Sequence, residues 1–345
     1  MSAVHKGRQS MVFPNFPSIL SYASVVGKKE AEGPLGRSFD LSTENGHFGQ
    51  SSWEKAESHM QRTALSLALS KGNLKEEDLQ AVFLGDLLNQ CIGSSYSMRS
   101  KEIPTLGLYG ACSTMSESLL LGAMCVSGGF CNTVAAMTSS HFASSERQYR
   151  FPLGYGGQRT PTAQWTVTGS GAVILGAEGT GPYICAATIG CIVDPGIRDA
   201  NNMGAAMAPA AFETLCAHFR DLGCRPEDYD LIVTGDLGAL GSHALRDLMD
   251  LEGYPMGNRY KDCGVMIYDI EGQDVHCGGS GCGCSAVVLC GYLLNKMHRR
   301  EIRRLLFCGT GALLSPVSIQ QGESIPGVCH AVSICMDKED LPWNM

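Results

Sequence analysis

The sequence has no uninterrupted apolar segment as long as the roughly 18 residues that a membrane-spanning helix requires. No signal-peptide pattern precedes its first apolar run. We therefore expect an intracellular protein whose association with any membrane is peripheral.

Charge is also scarce, and positive charge most of all. Only 17% of residues are charged, and 26 Lys and Arg residues stand against 34 Asp and Glu, for a formal net charge of −8. The one basic cluster, from His298 to Arg304, is interrupted by Glu301 and Ile302. Because nucleic-acid binding normally requires concentrated positive charge, this composition argues against a nucleic-acid partner. The hydrophobic content of 44% over 345 residues is sufficient for a large core.

Disulfide and metal patterns are missing even though the chain contains 16 cysteines. The cysteines lie inside apolar runs rather than in a short secreted framework, so we expect free thiols in a reducing compartment. His276, Cys277 and the segment Cys282-Gly283-Cys284 lie close together in the chain. Their spacing does not match the two separated C-x2-C pairs of a zinc ribbon, and no metal site is predicted.

One cysteine occupies a distinctive position. In the segment LYGACSTMSES, from Leu108 to Ser118, an apolar run ends in a glycine turn and Cys112 begins a helix-like stretch. The unpaired N–H groups and the dipole at a helix N-terminus favour a thiolate, so we expect a lowered pKa for Cys112. The alternative is an inert core thiol, since free cysteine is among the most buried residue types.

The chain repeats its own pattern. The segment from Glu77 to Leu87 returns as Glu227 to Leu237 at a constant offset of 150 residues. Helix starts at Cys112 and Cys284 are each followed by a strand at a shared offset of 172 residues. These repeats predict an α/β protein made of two duplicated βαβα-type halves about a pseudo-twofold axis.

The halves are assigned to residues 1–182 and 183–345, and small residues after both helix starts predict close packing of two central helices. Ligand sites in such folds lie beyond the carboxyl ends of strands. Within the first half we expect a strand over 19–26 and a helix that begins with a capping box at Ser51 and ends at Gly72. The polar N-terminal residues are expected to fray.

Two motifs carry a resemblance to a known superfamily. Tyr109-Gly110-Ala111-Cys112-Ser113 is similar to the cysteine turn of the thiolase and ketoacyl synthase superfamily. Residues 168–175, TGSGAVIL, resemble the glycine-rich strand that ends the first half of ketoacyl synthase III. The resemblance implies a thiolase-like fold layered α-β-α-β-α.

Longer stretches resemble one branch of that superfamily, the stage V sporulation protein AD family. These stretches are 86–90, 139–142, 146–152, 192–196 and 274–286. The resemblance implies a non-catalytic thiolase fold that binds dipicolinic acid and is needed for its uptake into the developing endospore. It further implies membrane proteins of the spore dipicolinate channel as partners, a peripheral location at the forespore inner membrane, and a homodimer formed through a strand near 132–141.

Two catalytic groups of ketoacyl synthase III are missing at the matching positions. Its histidine motif falls on 234–238, which has no histidine, and its asparagine motif falls on 279–283, which has no asparagine. Condensation needs groups that hold an oxyanion and handle protons, so we expect binding rather than catalysis. The alternative is an acyltransferase or condensing enzyme with Cys112 as acyl acceptor, because 282–284 faintly resembles the second-cysteine loop of thiolases.

A dipicolinate site has defined chemical requirements. The ligand is flat and carries two carboxylates, so the site needs directed N–H donors, cations and a flat wall such as Tyr155 or Trp165. The predicted ligand-binding residues are Cys112, His141, Arg147, Arg150, Asp236, His276, Cys277, Gly279 and Ser280, with Arg159 as a further candidate cation. No cofactor is predicted. Calcium that accompanies the ligand would contact Asp236 or Asp269, although the chain has no calcium-loop spacing.

Overall fold

The computed structural model describes residues 4–149 and 158–343. In the first half the strands are β1 (Val4–Lys6), β2 (Ser10–Val12), β3 (Ser18–Val26), β4 (Leu41–Ser42), β5 (Ala81–Gly85), β6 (Thr105–Leu108), β7 (Thr133–Ser140), β8 (Trp165–Thr166) and β9 (Gly169–Gly176). The helices of this half are α1 (Lys28–Ala31), α2 (Trp53–Lys71), α3 (Ile92–Met98), α4 (Thr114–Ser127) and α5 (Phe142–Tyr149).

The second half follows the same order of elements. Its strands are β10 (Tyr183–Thr188), β11 (Leu231–Thr234), β12 (Tyr260–Asp262), β13 (Gly279–Ser280), β14 (Arg304–Ala312) and β15 (Gly327–Cys335). Its helices are α6 (Met203–Leu222), α7 (Gly238–Leu251), α8 (Cys263–Met266), α9 (Cys282–Val288), α10 (Leu294–His298) and α11 (Pro316–Gln320), with a π-helical turn at Leu289–Leu293 between α9 and α10.

The strand pairing confirms the internal duplication. The first half orders its main strands β6-β5-β7-β9-β3, and the second orders them β12-β11-β14-β15-β10. In each set the first three strands are parallel and the last two pair antiparallel. The two sets meet where β10 pairs with β3 through Tyr183 and Ser18.

The apolar side chains form three large cores and a small cluster of Leu87, Cys112 and Cys282, and the large cores lie between the five predicted layers. Along β5, Val82 and Leu84 face the outer helices α2 and α3, whereas Ala81 and Phe83 face the central helix α4. This alternation follows from the two-residue period of a strand. On the other side, α6 and α7 cover the outer face of the second sheet. The central layer is formed by α4, α9 and α10 between the two sheets.

Glycines in the strands allow the central helices to approach the sheets closely. A Cβ placed on Gly171 of β9 would lie 2.5 Å from the Ala286 carbonyl oxygen of α9. A Cβ on Gly309 of β14 would lie 2.3 Å from the Ser116 hydroxyl of α4. Each central helix therefore packs against the sheet of the opposite half across the pseudo-twofold axis.

Individual element ends agree with the predictions to within a few residues. The first long strand begins at Ser18, and helix α2 is capped by Ser52, whose hydroxyl accepts from the Lys55 N–H at 3.3 Å. The predicted cap at Ser51 was therefore one residue early. Helix α6 ends at Gly223, which has a left-handed φ of 66° that favours glycine.

Two expectations about strands were wrong. The N-terminal residues from Val4 do not fray, because β1 and β2 form a hairpin that pairs with β10, and Ser10 Oγ lies 3.0 Å from the Asp221 carboxylate. The strand near 132–141 has no free edge for a dimer partner. It is β7, and β5 and β9 occupy its two sides.

No helix in the described part of the chain has the length and apolar character needed to cross a membrane.

Candidate functional site

The predicted cysteine lies at the end of the first half's sheet, where β6 leads into the central helix. A short 3-10 turn, Ala111–Ser113, precedes α4, and Ala111 has an unusual left-handed φ of 50°. This turn directs Cys112 toward the second half. Its side chain is buried, with 6% of the residue exposed.

A buried carboxylate faces this thiol. Asp236 follows β11 and accepts hydrogen bonds from the Gly281 N–H at 2.8 Å and from the Thr310 hydroxyl at 3.0 Å. The Cys112 thiol also donates to it. Burial raises the pKa of Asp236 to about 6, although these donors oppose the rise. The two segments on which the absent histidine and asparagine motifs fall are thus hydrogen-bonded to each other next to Cys112.

The pKa expectation for Cys112 was wrong in sign. Burial, followed by the negative charge of Asp236, raises the pKa of Cys112 well above the usual thiol value. The Gly281 N–H acts in the opposite direction but is the weaker influence. Removal of the thiol from water and its contact with a carboxylate therefore outweigh the helix N-terminus, and Cys112 is a protonated thiol at neutral pH.

A cavity of about 80 Å³ opens beside Cys112, several times the space that one water molecule needs. Its walls come from both halves and are mostly apolar. The lining residues are Leu87, Ala111, Cys112, Ser145, Glu146, Tyr149, Thr166, Ala200, Asn201, Met203, Ser280, Ala312 and Leu314. Apolar walls with a few convergent polar groups are typical of small-molecule sites.

Some polar groups of the cavity have hydrogen-bond partners within the protein and one does not. Thr166 donates to the Glu146 carboxylate at 3.0 Å, and Ser280 lies 3.3 Å from Asp236. The Ser145 hydroxyl is buried and has no hydrogen-bond partner among the described residues. A buried hydroxyl without a partner is costly, so Ser145 is positioned to bond a molecule in the cavity.

Four predicted site residues come together here: Cys112, Asp236, Gly279 and Ser280. The Gln164 amide links two of them, because its Nε2 donates at 2.8 Å to the carbonyl oxygens of both Asp236 and Gly279. The glycine-rich loop was predicted to supply N–H donors for a ligand. The Gly281 N–H of this loop donates to the Asp236 carboxylate instead.

Two other predicted residues lie away from the cavity. His141 is buried, with Nε2 2.7 Å from the Gly46 carbonyl oxygen, and burial lowers its pKa, so it is a neutral structural side chain. Arg147 pairs with Glu54 and lies over the Trp53 ring on the outer side of α5. The predicted Arg150 and Tyr155 fall outside the described residues.

His276 and Cys277 also lie outside the cavity lining. His276 Nε2 is 3.3 Å from the Asp274 carboxylate, and the Cys277 thiol is 3.4 Å from the Pro161 carbonyl oxygen. Within 4–149 and 158–343 no cluster of three or more His, Cys, Asp or Glu side chains has the arrangement needed to hold a metal ion. Asp269 lies in an exposed loop, where it caps the Gly272 N–H at 3.1 Å.

The candidate cation Arg159 and the candidate wall Trp165 meet each other, although neither lines the cavity. The Arg159 guanidinium lies 4.7 Å from the Trp165 ring centre, and the Lys29 ammonium lies 4.3 Å from it. Phe142 stacks on the same indole with centres 4.0 Å apart. Because side chains alternate along β8, Thr166 points into the cavity and Trp165 points away.

Several cavity residues were missed by sequence reasoning, namely Ser145, Glu146, Thr166 and Asn201. Ser145 and Tyr149 are four residues apart on α5, a spacing that places both on one helix face and could have indicated them together. Asn201 lies in an irregular loop before α6, and no local sequence signal indicates its position.

A second buried carboxylate corresponds to Asp236 at the 150-residue offset. It is Asp86, which accepts from the Ser94 N–H at 2.7 Å and the Leu88 N–H at 2.8 Å. Glu57 lies near it and accepts from the Ser139 hydroxyl at 2.9 Å. Burial, with the charge of Asp86, raises the pKa of Glu57 to about 8. These carboxyls are buried within the first half and do not line the cavity.

Comparison with known proteins identifies the family. The family model of stage V sporulation protein AD matches residues 7–335. Stage V sporulation protein AD of Bacillus subtilis (strain 168) is 44% identical over 326 residues, which is 94% of this chain and 96% of that protein. Such identity over nearly the full length of both chains extends well beyond the cavity.

Similar solved structures support the fold alone, because their sequences are distant. The 3-oxoacyl-[acyl-carrier-protein] synthase III of Aquifex aeolicus VF5 is 13% identical with a TM-score of 0.55, over 92% of this chain and 99% of that chain. An OleA variant of Xanthomonas campestris is also 13% identical, with a TM-score of 0.60 over 94% of this chain and 99% of that chain. The thiolase-like fold is thereby confirmed, and by its sequence the chain belongs to the stage V sporulation protein AD family.

Proposed function

We propose that this protein binds dipicolinate in the Cys112 cavity during sporulation and serves its uptake into the developing spore without catalysing acyl transfer. The observation that carries the proposal is the combination of an unpaired buried hydroxyl, Ser145, with a thiol, Cys112, that burial and the charge of Asp236 keep protonated. The first leaves a hydrogen bond that a ligand can make, and the second disfavours nucleophilic chemistry.

The cavity supplies hydrogen bonds suited to a small flat molecule. The Ser145 hydroxyl and the Asn201 amide offer donors, the Ser280 hydroxyl oxygen can accept because its O–H is used by Asp236, and Leu87 and Leu314 offer apolar walls. Carboxylates bind most strongly where a cation is also present. We assign that role to Arg150, the cation already predicted for this site from the sequence.

Glu146 is the one carboxyl group among the described lining residues, and it bears on the form in which the ligand is bound. A carboxylate near a dianion is unfavourable unless a cation lies between them. Glu146, Thr166 and Ser280 present the oxygen ligands that calcium prefers. We propose that calcium binds in the cavity only together with dipicolinate and is not held there as a resident metal.

Titration of the purified protein with dipicolinate, with and without calcium, tests this function. Arg150→Gln should weaken binding roughly tenfold or more, the size expected for a charge-assisted hydrogen bond, and Ser145→Ala should weaken it severalfold. Arg147→Gln is the matched control, because Arg147 is three residues away and outside the cavity. Benzoate, which has one carboxylate, should bind more weakly than phthalate, which has two.

The proposal fails if no saturable binding occurs or if Arg147→Gln weakens binding as much as Arg150→Gln.

The second candidate function is acyl transfer on Cys112, favoured by the position of this thiol at the cavity and at the start of α4. Incubation with acyl-coenzyme A donors and mass spectrometry of the Cys112 peptide tests it, with Cys112→Ala as the blank. An acyl adduct on Cys112 with turnover of the acyl donor, together with no dipicolinate binding, would favour acyl transfer over the binding proposal.

A further inference from the structure

The basic cluster at 298–304 lies beside a surface groove that the proposed function does not use. Two open cavities, about 460 and 420 Å³ in volume, lie side by side and share Leu35 and Tyr292. Together they form a continuous depression, here called the basic groove. It is defined by Leu35, Arg37, Lys261, Tyr292, Lys296 and Arg299, none of which lines the Cys112 cavity.

The groove owes its shape to an irregularity in the central helix. Between α9 and α10 the chain forms a π-helical turn, which leaves the Gly291 carbonyl oxygen to accept from the Asn295 amide at 2.6 Å. The Tyr22 hydroxyl donates to the same amide's oxygen at 2.9 Å and fixes it in place. Tyr292 is therefore held half-exposed between the two cavities. Single π-helical turns of this kind are frequent at functional sites.

Positive charge in the groove exceeds what its acids neutralise. Lys296 and Arg299 both pair with Glu301, at 3.0 and 2.6 Å. Arg37 and Lys261 have no ion-pair partner in the described part of the chain. The remaining acid, Asp230, accepts from the backbone N–H groups of Arg303 and Arg304 at 2.8 and 2.9 Å. In a chain of net charge −8, this local excess of cations favours an anionic partner.

Apolar surface alternates with these charges. Leu35 and Tyr292 lie at the centre, and Met266 and Ile302 line the second cavity. Concave apolar pockets accept individual side chains, whereas a bilayer presents a broad flat surface. The shape therefore favours a polypeptide over a membrane.

We propose that the basic groove docks an acidic peptide segment of a partner protein, with one or two bulky apolar side chains inserted around Tyr292. The acidic side chains of the segment face Arg37 and Lys261, which steers and orients the segment, while the apolar anchors supply most of the affinity.

Selection of displayed random peptides on the full-length protein tests the proposal without presupposing a partner. Peptides enriched on this protein should contain Asp or Glu together with Leu, Phe, Tyr or Trp. A representative enriched peptide, labelled with a fluorophore, should bind roughly tenfold more weakly to the double variant Arg37→Glu/Lys261→Glu in fluorescence anisotropy. Tyr292→Ser should also weaken it, through loss of the apolar anchor.

Lys6→Glu, a charge reversal at an exposed lysine on β1 outside the groove, is the matched control and should leave peptide affinity unchanged. Thermal unfolding of each variant verifies that it folds. The proposal is overturned if no acidic peptides are enriched, if their affinity survives the double variant, or if the protein instead binds phosphatidylglycerol vesicles through Arg37 and Lys261. Dipicolinate titration of the same variants should be unaffected, so this outcome is separate from that of the proposed function.

Discussion

At the scale of single residues, Cys112 shows how a thiol at the start of a helix is kept protonated. A helix N-terminus lowers a thiol pKa only when the thiolate can be solvated or paired with a cation. Here the thiol is enclosed by protein and donates to the Asp236 carboxylate, which has the wrong charge to stabilise a thiolate.

Cys112 should therefore react slowly with iodoacetamide at neutral pH, whereas the exposed Cys191 should react readily. Asp236→Asn removes the negative charge next to the thiol and should lower its pKa and accelerate its alkylation. Peptide mass spectrometry over a time course measures both rates. Equal labelling of Cys112 and Cys191 in the unaltered protein would contradict the assignment.

The buried carboxyl of Glu57 leads to a prediction about pH. Its pKa is raised from 4.5 to about 8, so between these values the folded protein holds a proton that the unfolded chain releases. The free energy of unfolding should therefore fall as the pH rises through this range, and Glu57→Gln should reduce that fall. Thermal unfolding across the range measures it.

Glu77→Gln is the control for Glu57→Gln, because this change removes an exposed carboxyl and leaves the buried carboxyl of Glu57 in place. If both variants lose stability with pH as steeply as the unaltered protein, Glu57 does not hold a proton in the folded state.

At the scale of secondary-structure elements, the fold depends on how closely α9 packs on β9. Gly171→Ala should destabilise the protein by about 2 kcal/mol, because the new Cβ would clash with the Ala286 backbone, which cannot move aside. Gly46→Ala is the control, since its Cβ would meet no atom within 4 Å. Chemical denaturation of both variants measures the difference. A loss at Gly171 no larger than at Gly46 would show that this packing is looser than described.

The edge of the first half's sheet is set by strand pairing. The local sequence predicts that a strand lies at 133–140, but it does not reveal which strand is at the edge of the sheet. Pairing between distant segments decides that, and it places β6 at the edge, with β5 on one side and no strand on the other within the described residues.

For the whole molecule, we propose a homodimer formed through β6. Leu106 on this strand is 53% exposed, and an unpaired edge with an exposed apolar side chain readily pairs with a second copy. Leu106→Lys should shift the protein from dimer to monomer in light scattering coupled to size-exclusion chromatography. Leu251→Lys, at a residue that is 87% exposed on α7, should leave the dimer intact. A monomeric unaltered protein, or a dimer that tolerates Leu106→Lys, would refute this arrangement.

The sequence by itself determined the duplicated α/β architecture, because the repeats record it. Its motifs indicated the five layers and the family through their resemblance to known proteins. It also placed Cys112, Asp236, Gly279 and Ser280 in one site, since each follows a strand or precedes a helix. Only the tertiary structure decided the protonation of Cys112, the positions of His141 and Arg147 outside the cavity, and the contribution of Ser145 and Asn201 to the cavity lining. Those properties depend on burial and on contacts through space between segments far apart in the chain, which no local pattern encodes.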